Sequence, residues 1–237
     1  MSQRPFIVAI DGPAGAGKST AARGVAARLG FAMVDTGAIY RTVALAATRR
    51  GIALDDDAGL AALLPGLEIR FEPPAAPGAA QRVLLGDADV SMEIRTPALS
   101  LGASKVSGRP VVRAGLLDLQ RRLALDAGNA GAVLEGRDIG TVVFPDADAK
   151  FFLTASPEER ARRRFAELQA KGDPSPYEHV LQDQLRRDRD DSERAIAPLR
   201  PAADATVIDT THVPLDEVIS RLVAAVRERL AARGGRP

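Results

Sequence analysis

Eight residues near the start of the chain, Gly12-Pro13-Ala14-Gly15-Ala16-Gly17-Lys18-Ser19, fit the pattern glycine, four residues, glycine, lysine, then serine or threonine. The context matches the pattern. Phe6-Ile7-Val8-Ala9-Ile10 is an apolar run that reads as a buried strand, and Thr20 to Leu29 reads as a helix stopped by Gly30. Glycines let the backbone curl until several N–H groups face one anion, and the helix start behind them adds partial positive charge. Lys18 can reach the β- and γ-phosphates, and Ser19 can hold Mg²⁺. A chance Gly-rich turn is the alternative; strand and helix together favour a phosphate cradle.

Strands and helices alternate after this loop. Phe31 to Val34, Ala132 to Leu134, Lys150 to Leu153 and Thr206 to Ile208 read as four more short buried strands. Helices are predicted at about Ile39 to Arg50, Pro110 to Ala127, Pro157 to Lys171, Tyr177 to Asp190 and Leu215 to Ala232. Ser156 with Glu159 and Ser175 with Glu178 form capping boxes, with Pro157 and Pro176 at the first helical position. The alternation implies an α/β fold, a parallel sheet covered on both faces, with ligands at the carboxyl ends of its strands. One segment differs. Leu67 to Phe71 and Arg82 to Leu85 alternate apolar and polar around Pro73, Pro74, Pro77 and Gly78, and Asp89 to Ile94 can add a third strand, so a small antiparallel insert is expected. Arg233 to Pro237 reads as a disordered tail.

Composition removes several function classes. The 237 residues carry a net charge of +1, which argues against bulk attraction to nucleic acid or a membrane. There is no cysteine and only two histidines, His179 and His212, so thiol catalysis, thiolate metal sites and histidine triads are disfavoured. No leader segment and no membrane-spanning run are apparent, which predicts a soluble cytoplasmic chain.

Four further groups sit where chemistry is expected. Asp35-Thr36-Gly37-Ala38-Ile39-Tyr40-Arg41 follows the second strand; it reads either as a helix cap with Tyr40 packed and Arg41 solvated, or as a phosphate contact through Arg41. Glu135-Gly136-Arg137-Asp138 follows the third, either as a solvated turn or as an anion clamp with an acceptor. Arg160, Arg162, Arg163 and Arg164 crowd one helix, as a solvated face or a lid over transferring phosphates. Arg187, Asp191 and Arg194 share one helical face, as a surface ladder of little energetic weight or as part of the site.

Together these motifs resemble the bacterial cytidylate kinase family over nearly the whole chain. Asp35 to Arg41, Glu135-Gly136-Arg137-Asp138-Ile139-Gly140-Thr141-Val142-Val143-Phe144-Pro145-Asp146-Ala147 and Arg194-Ala195-Ile196-Ala197-Pro198-Leu199 carry the resemblance, and the insert at 67–95 looks like that family's extra sheet. The resemblance implies a P-loop NTPase-type five-stranded parallel sheet flanked by helices, organised as one nucleoside monophosphate kinase domain over 1–237. Its core would span about 1–50, 98–155 and 200–232, its monophosphate-binding insert about 63–97, and its short Arg-rich lid about 156–175. It assigns Gly12, Pro13, Ala14, Gly15, Ala16, Gly17, Lys18, Ser19 and Thr20 to ATP, with Arg160, Arg163 and Arg164 in the lid. It assigns Ser104, Arg113 and Asp138 to the cytosine base, Asp191 with Arg187 to the sugar hydroxyls, and Arg41, Arg137 and Arg194 to the acceptor phosphate. Tyr40 would line that site, with Asp35 and Thr36 beside it, and Lys18, Arg41, Arg137 and Arg194 would carry catalysis. Thr36 and Glu135 replace the serine and aspartate of some relatives and keep the oxygen chemistry.

The expected reaction is Mg²⁺-dependent phosphoryl transfer from ATP to CMP or dCMP by a monomer, through positioning and charge neutralisation. An acceptor phosphate ionised near neutral pH needs no strong base. A kinase with a non-nucleotide acceptor is a second enzyme reading, disfavoured by the acceptor-side arginines. A nucleotide-binding switch is the non-enzyme reading, although no Asn-Lys-x-Asp motif is present.

Overall fold

The computed structural model describes residues 4–72, 81–126, 130–170 and 172–234. The chain divides into two compact units, residues 1–33 with 124–237, and residues 34–123.

The first unit holds strands β1 (Phe6–Asp11), β6 (Gly131–Gly136), β7 (Ala149–Thr154) and β8 (Thr206–Asp209). With β2 (Ala32–Asp35) they form a five-stranded sheet in the order β2-β6-β1-β7-β8. Phe6 pairs with Gly131 and Asp11 with Gly136 along the parallel β1–β6 ladder, and β7 runs parallel on the other side of β1. All six residues of both β1 and β6 are buried, as expected where helices cover both faces and no polar alternation is possible. Helices α1 (Lys18–Leu29) and α8 (Leu215–Ala232) pack together through Val25, Leu222 and Val226, which join Phe6, Val8, Ile10, Phe151 and Leu153 in one core. The side chain of Ile219 fills the space a Cβ on Gly24 would need, so the two helices meet closely at that glycine. This unit also contains α6 (Pro157–Gln169) and α7 (Tyr177–Ser192).

The second unit contains α2 (Thr36–Arg49), α3 (Asp57–Leu63), α4 (Pro97–Ser107) and α5 (Pro110–Leu125). It also holds the antiparallel sheet β3 (Ile69–Glu72), β4 (Arg82–Leu85), β5 (Ala88–Asp89). Of the third strand expected over Asp89 to Ile94, only Asp89 lies in a strand, the two-residue β5; beyond it the chain turns through Ser91, whose N–H and hydroxyl both bond the Asp89 carboxylate, and Glu93–Arg95 form a short helical turn. The turn expected at Pro73, Pro74, Pro77 and Gly78 lies outside the described residues, as do Ala127, Lys171 and the last three residues of the tail.

Two helices escape the sequence reading. α3 is a single two-turn helix, and α4 carries Gly102 and three serines that weaken its pattern, although Thr96 caps it and Pro97 opens it. Both capping boxes are corrected. Ser156 accepts from Glu159 N at 3.2 Å, but the other half of that box is absent, since Ser156 N donates to Thr211 Oγ1 and the Glu159 carboxylate holds Arg162 and Arg163. Ser175 caps nothing: its own N–H donates to Asp173 Oδ1 at 2.9 Å in a local turn. α7 starts at Tyr177 as expected, but with Pro176 at the cap and not at the first helical position.

Leu222 is fully buried at the α1–α8 seam. Leu222→Ala should cost about 3 kcal/mol of unfolding free energy, read as a lowered denaturant midpoint at unchanged slope.

Candidate active site

The phosphate loop leaves β1 at Gly12, whose φ of +144° and whose position only 1.9 Å (at its would-be Cβ) from the Leu153 carbonyl admit no side chain. Gly15 has φ +77°, and a Cβ there would sit 3.0 Å from Arg160 Cβ on α6. Gly17 is the N-cap of α1 and no side chain caps that helix, so its first N–H groups are left for an anion. Ser19 and Thr20 are exposed on the first turn of α1, while Lys18 is buried and donates from Nζ to Pro13 O at 2.7 Å. Burial first, and the like charge of Arg137 second, push the Lys18 ammonium down to about 7.

Behind the loop, Asp11 is buried and accepts from Ile139 N and Gly140 N, each at 2.8 Å. Its carboxylate thus ties the end of β1 to the turn at Ile139–Val143, directly after Glu135-Gly136-Arg137-Asp138. Burial pushes this carboxyl up to about 6, although the two N–H groups favour the charged form. Glu135 and Asp138 are buried as well, which sets aside the solvated-turn reading.

Asp191 gathers the second constellation. It is buried near the end of α7, with Arg137 Nε 2.9 Å from Oδ2 and Arg194 3.1 Å from Oδ1. Burial alone would raise its pKa, but Arg137, Arg194 and Arg187 together hold it below the usual carboxylate range. The chain beyond α7 folds back so that Leu199 N donates to Asp191 O at 2.8 Å. That turn contains Ala197 at φ +51°, the one non-glycine residue with positive φ among the described residues. A solvated surface ladder is therefore not what this group forms.

The arginines of α6 have different destinations. Arg160 is buried, with Nε on Ala155 O at 2.9 Å, a bidentate pair to Asp188 at 2.9 and 2.6 Å, and a 3.2 Å bond to Ala14 O in the phosphate loop. Arg163 joins Glu159 to the Thr210 hydroxyl and carbonyl. Arg162 and Arg164 make i,i+3 pairs with Glu159 and Glu167.

In the other unit, Asp35 caps α2 by accepting from Ala38 N at 2.8 Å and holds Arg41 at 2.9 Å through its second oxygen. Arg41 is partly buried, not solvated, and its Nε has no hydrogen-bond partner among the described residues. Thr36 and Tyr40 are buried; the Arg113 guanidinium lies 5.9 Å from the Tyr40 ring centroid and donates to Ser107 O. Ser104 is half-buried on α4.

Asp11, Gln184 and Thr210 were not singled out from the sequence. A carboxylate closing a buried strand just before the loop is a usable signal for Asp11. Gln184 and Thr210 offer none, since their importance lies in which carbonyls they meet.

The pKa of Lys18 has a testable consequence. Below pH 7 the ammonium is charged folded and unfolded, and folding bears the full cost of burying it. Between pH 7 and 10.5 the unfolded chain keeps a proton that the folded protein has released, so stability rises with pH. Lys18→Met should therefore be more stable than the parent chain below pH 7, with the gap closing toward pH 10, as read from unfolding midpoints at each pH.

Comparison with known proteins places these features in one family. The cytidylate kinase family profile matches residues 8–228. The cytidylate kinase of Geobacter sulfurreducens is 53% identical over 233 residues, covering 98% of this chain and 97% of that one. The cytidylate kinase of Geobacter sp. (strain M21) is 52% identical, covering 95% and 94%. A solved structure of an uncharacterized protein from Eubacterium ventriosum shares the fold alone, with a TM-score of 0.50 at 11% identity over 93% of this chain and 98% of that one. No helix among the described residues is long and apolar enough to cross a membrane. From the phosphate loop to α8, the chain belongs to the cytidylate kinase family.

Proposed function

We propose that this protein transfers the γ-phosphoryl group of ATP to CMP or dCMP, giving ADP and CDP or dCDP. The observation that carries the reading is Asp191 fixing Arg137 and Arg194 in the same compact unit as the phosphate loop. Two guanidinium forks held by a buried carboxylate suit an acceptor that already bears a phosphate. The loop N–H groups and the start of α1 hold the donor phosphates, and Lys18 neutralises charge where it develops. Mg²⁺ would be held by the Ser19 hydroxyl, which is exposed at the start of α1. Phosphate oxygens and water would supply most of its other ligands, as suits Mg²⁺. When bound, the ion would offset the charge of the phosphates. Arg163 and Arg164 belong to the lid over ATP in this reading, whereas the bonds of Arg160 suit it to holding the loop.

Asp138 and, in residues 34–123, Ser104 and Arg113 select cytosine, because a base with the wrong edge would leave their polar groups unpaired. Arg187 and Asp191 hold the sugar hydroxyls. Arg41 grips the acceptor phosphate beside Tyr40, Asp35 and Thr36, and a phosphate oxygen would satisfy its buried Nε. The protein acts as a monomer on small molecules in the cytoplasm in this reading.

ADP release from ATP and Mg²⁺ tests it, with CMP, dCMP, UMP, AMP, dTMP and shikimate supplied singly. CMP and dCMP should far exceed the others; a different preferred acceptor would overturn the base-site assignment, and no acceptor-dependent release would favour a switch. Lys18→Ala should lower kcat on the order of 10²–10³-fold with the fold intact. Asp138→Ala should narrow the preference for CMP over UMP while KM for ATP stays near the parent value.

A further inference from the structure

The phosphate loop has two carbonyl groups that are held from outside it. Ala14 O accepts from Arg160 on α6 at 3.2 Å and from Gln184 Nε2 on α7 at 2.5 Å. Ala16 O lies 3.2 Å from the hydroxyl of Thr210, directly after β8. That hydroxyl is also 3.0 Å from Thr154 O, so Ala16 O and Thr154 O share its one proton. Arg163 donates to the same hydroxyl oxygen and to Thr210 O, fixing the residue from a third side. Gln184 and Thr210 are both buried.

The direction of these carbonyls sets the direction of the N–H groups that follow. The described peptide bonds are all trans, and in a trans peptide the C=O and N–H point to opposite sides. With Ala14 O facing α6 and α7, Gly15 N–H faces away from them; with Ala16 O facing Thr210, Gly17 N–H faces away from it. Neither Gly15 N–H nor Gly17 N–H donates to a protein acceptor among the described residues. Glycine at 15 and 17 lets the preceding peptide turn over more readily than a residue with a Cβ would, so the anchors matter for which way each N–H points. We propose that Gln184 and Thr210 are positioning residues that hold the Ala14 and Ala16 carbonyls outward and so aim Gly15 N–H and Gly17 N–H at a bound phosphate. This rests on the reading of the loop as a polyphosphate site and adds the residues that set its donors.

The test is calorimetric binding of inorganic tripolyphosphate, which has no base or sugar, and of ATP, to the full chain and to Gln184→Leu, Thr210→Val and Thr210→Ser. Gln184→Leu and Thr210→Val should each bind tripolyphosphate about tenfold more weakly, the scale of one charge-assisted hydrogen bond. Thr210→Ser, which keeps the hydroxyl, should bind as the parent does. In turnover, kcat should fall for the first two while KM for CMP holds, a split that loosened packing alone would not give. Parent-like binding by both Gln184→Leu and Thr210→Val would overturn the proposal, as would a Thr210→Ser defect equal to that of Thr210→Val. If Gln184→Leu does not fold, the Thr210→Val and Thr210→Ser pair decides. If the parent chain itself binds neither tripolyphosphate nor ATP, the reading of the loop fails and this proposal falls with it.

Discussion

An ammonium group removed from water is expensive unless something nearby replaces its hydration. Lys18 is in that position. Its Nζ has one short bond to Pro13 O, the fields of Glu135 and Asp11 favour its charge, and Arg137 and Arg187 oppose it. Burial exceeds this compensation, so the protein alone leaves the charge under-stabilised. In the proposed function a bound polyphosphate would supply the missing negative potential, and the energy that folding spends on Lys18 would become affinity for an anion. The uncapped start of α1 works the same way, since donors without partners become useful when a ligand brings acceptors.

The arginines solve a different problem. A free arginine has to give up considerable rotamer freedom before it can grip a phosphate in a fixed geometry. Here much of that ordering is already in place without a ligand: Asp191 fixes Arg137 and Arg194, and Asp35 fixes Arg41. Each carboxylate is itself tied down, Asp191 by burial and Asp35 by its bond to Ala38 N. An exposed ion pair contributes little to stability, but a buried one that presets a guanidinium contributes to geometry.

The same contrast explains what could be read in the sequence. The phosphate loop was legible because glycine, lysine and serine at that spacing have a local, backbone-level purpose. The buried strands were legible because apolar runs leave few alternatives. Asp35 as a cap is local as well, and the structure has it. Ser175 looks equally local, yet its N–H donates to Asp173 and the cap falls on Pro176. The group at Arg187, Asp191 and Arg194 read equally well as a solvated ladder, because the spacing that puts three charges on one face does not say whether that face is covered. The destination of Arg160 was out of reach for a stronger reason: four arginines on one helix are equivalent in sequence, and only the packing of α6 against the loop at Gly15 distinguishes the one turned inward.

The scarcity of lysine fits this division of labour. Only Lys18, Lys105, Lys150 and Lys171 occur among the 32 basic residues. An arginine keeps its charge at any working pH and presents a rigid fork, which suits a role fixed by a carboxylate. A lysine is a compact charge that can release its proton when burial is costly and recover it when an anion arrives. The Lys18 side chain is buried in the loop, and its charge must be tolerated when no ligand is present. An arginine at position 18 would keep its full charge in that dry setting with no carboxylate bonded to it, whereas the amine of Lys18 needs only one carbonyl, that of Pro13. The residue whose charge burial works against is therefore the lysine, and the residues whose charge is matched by a bonded carboxylate are arginines.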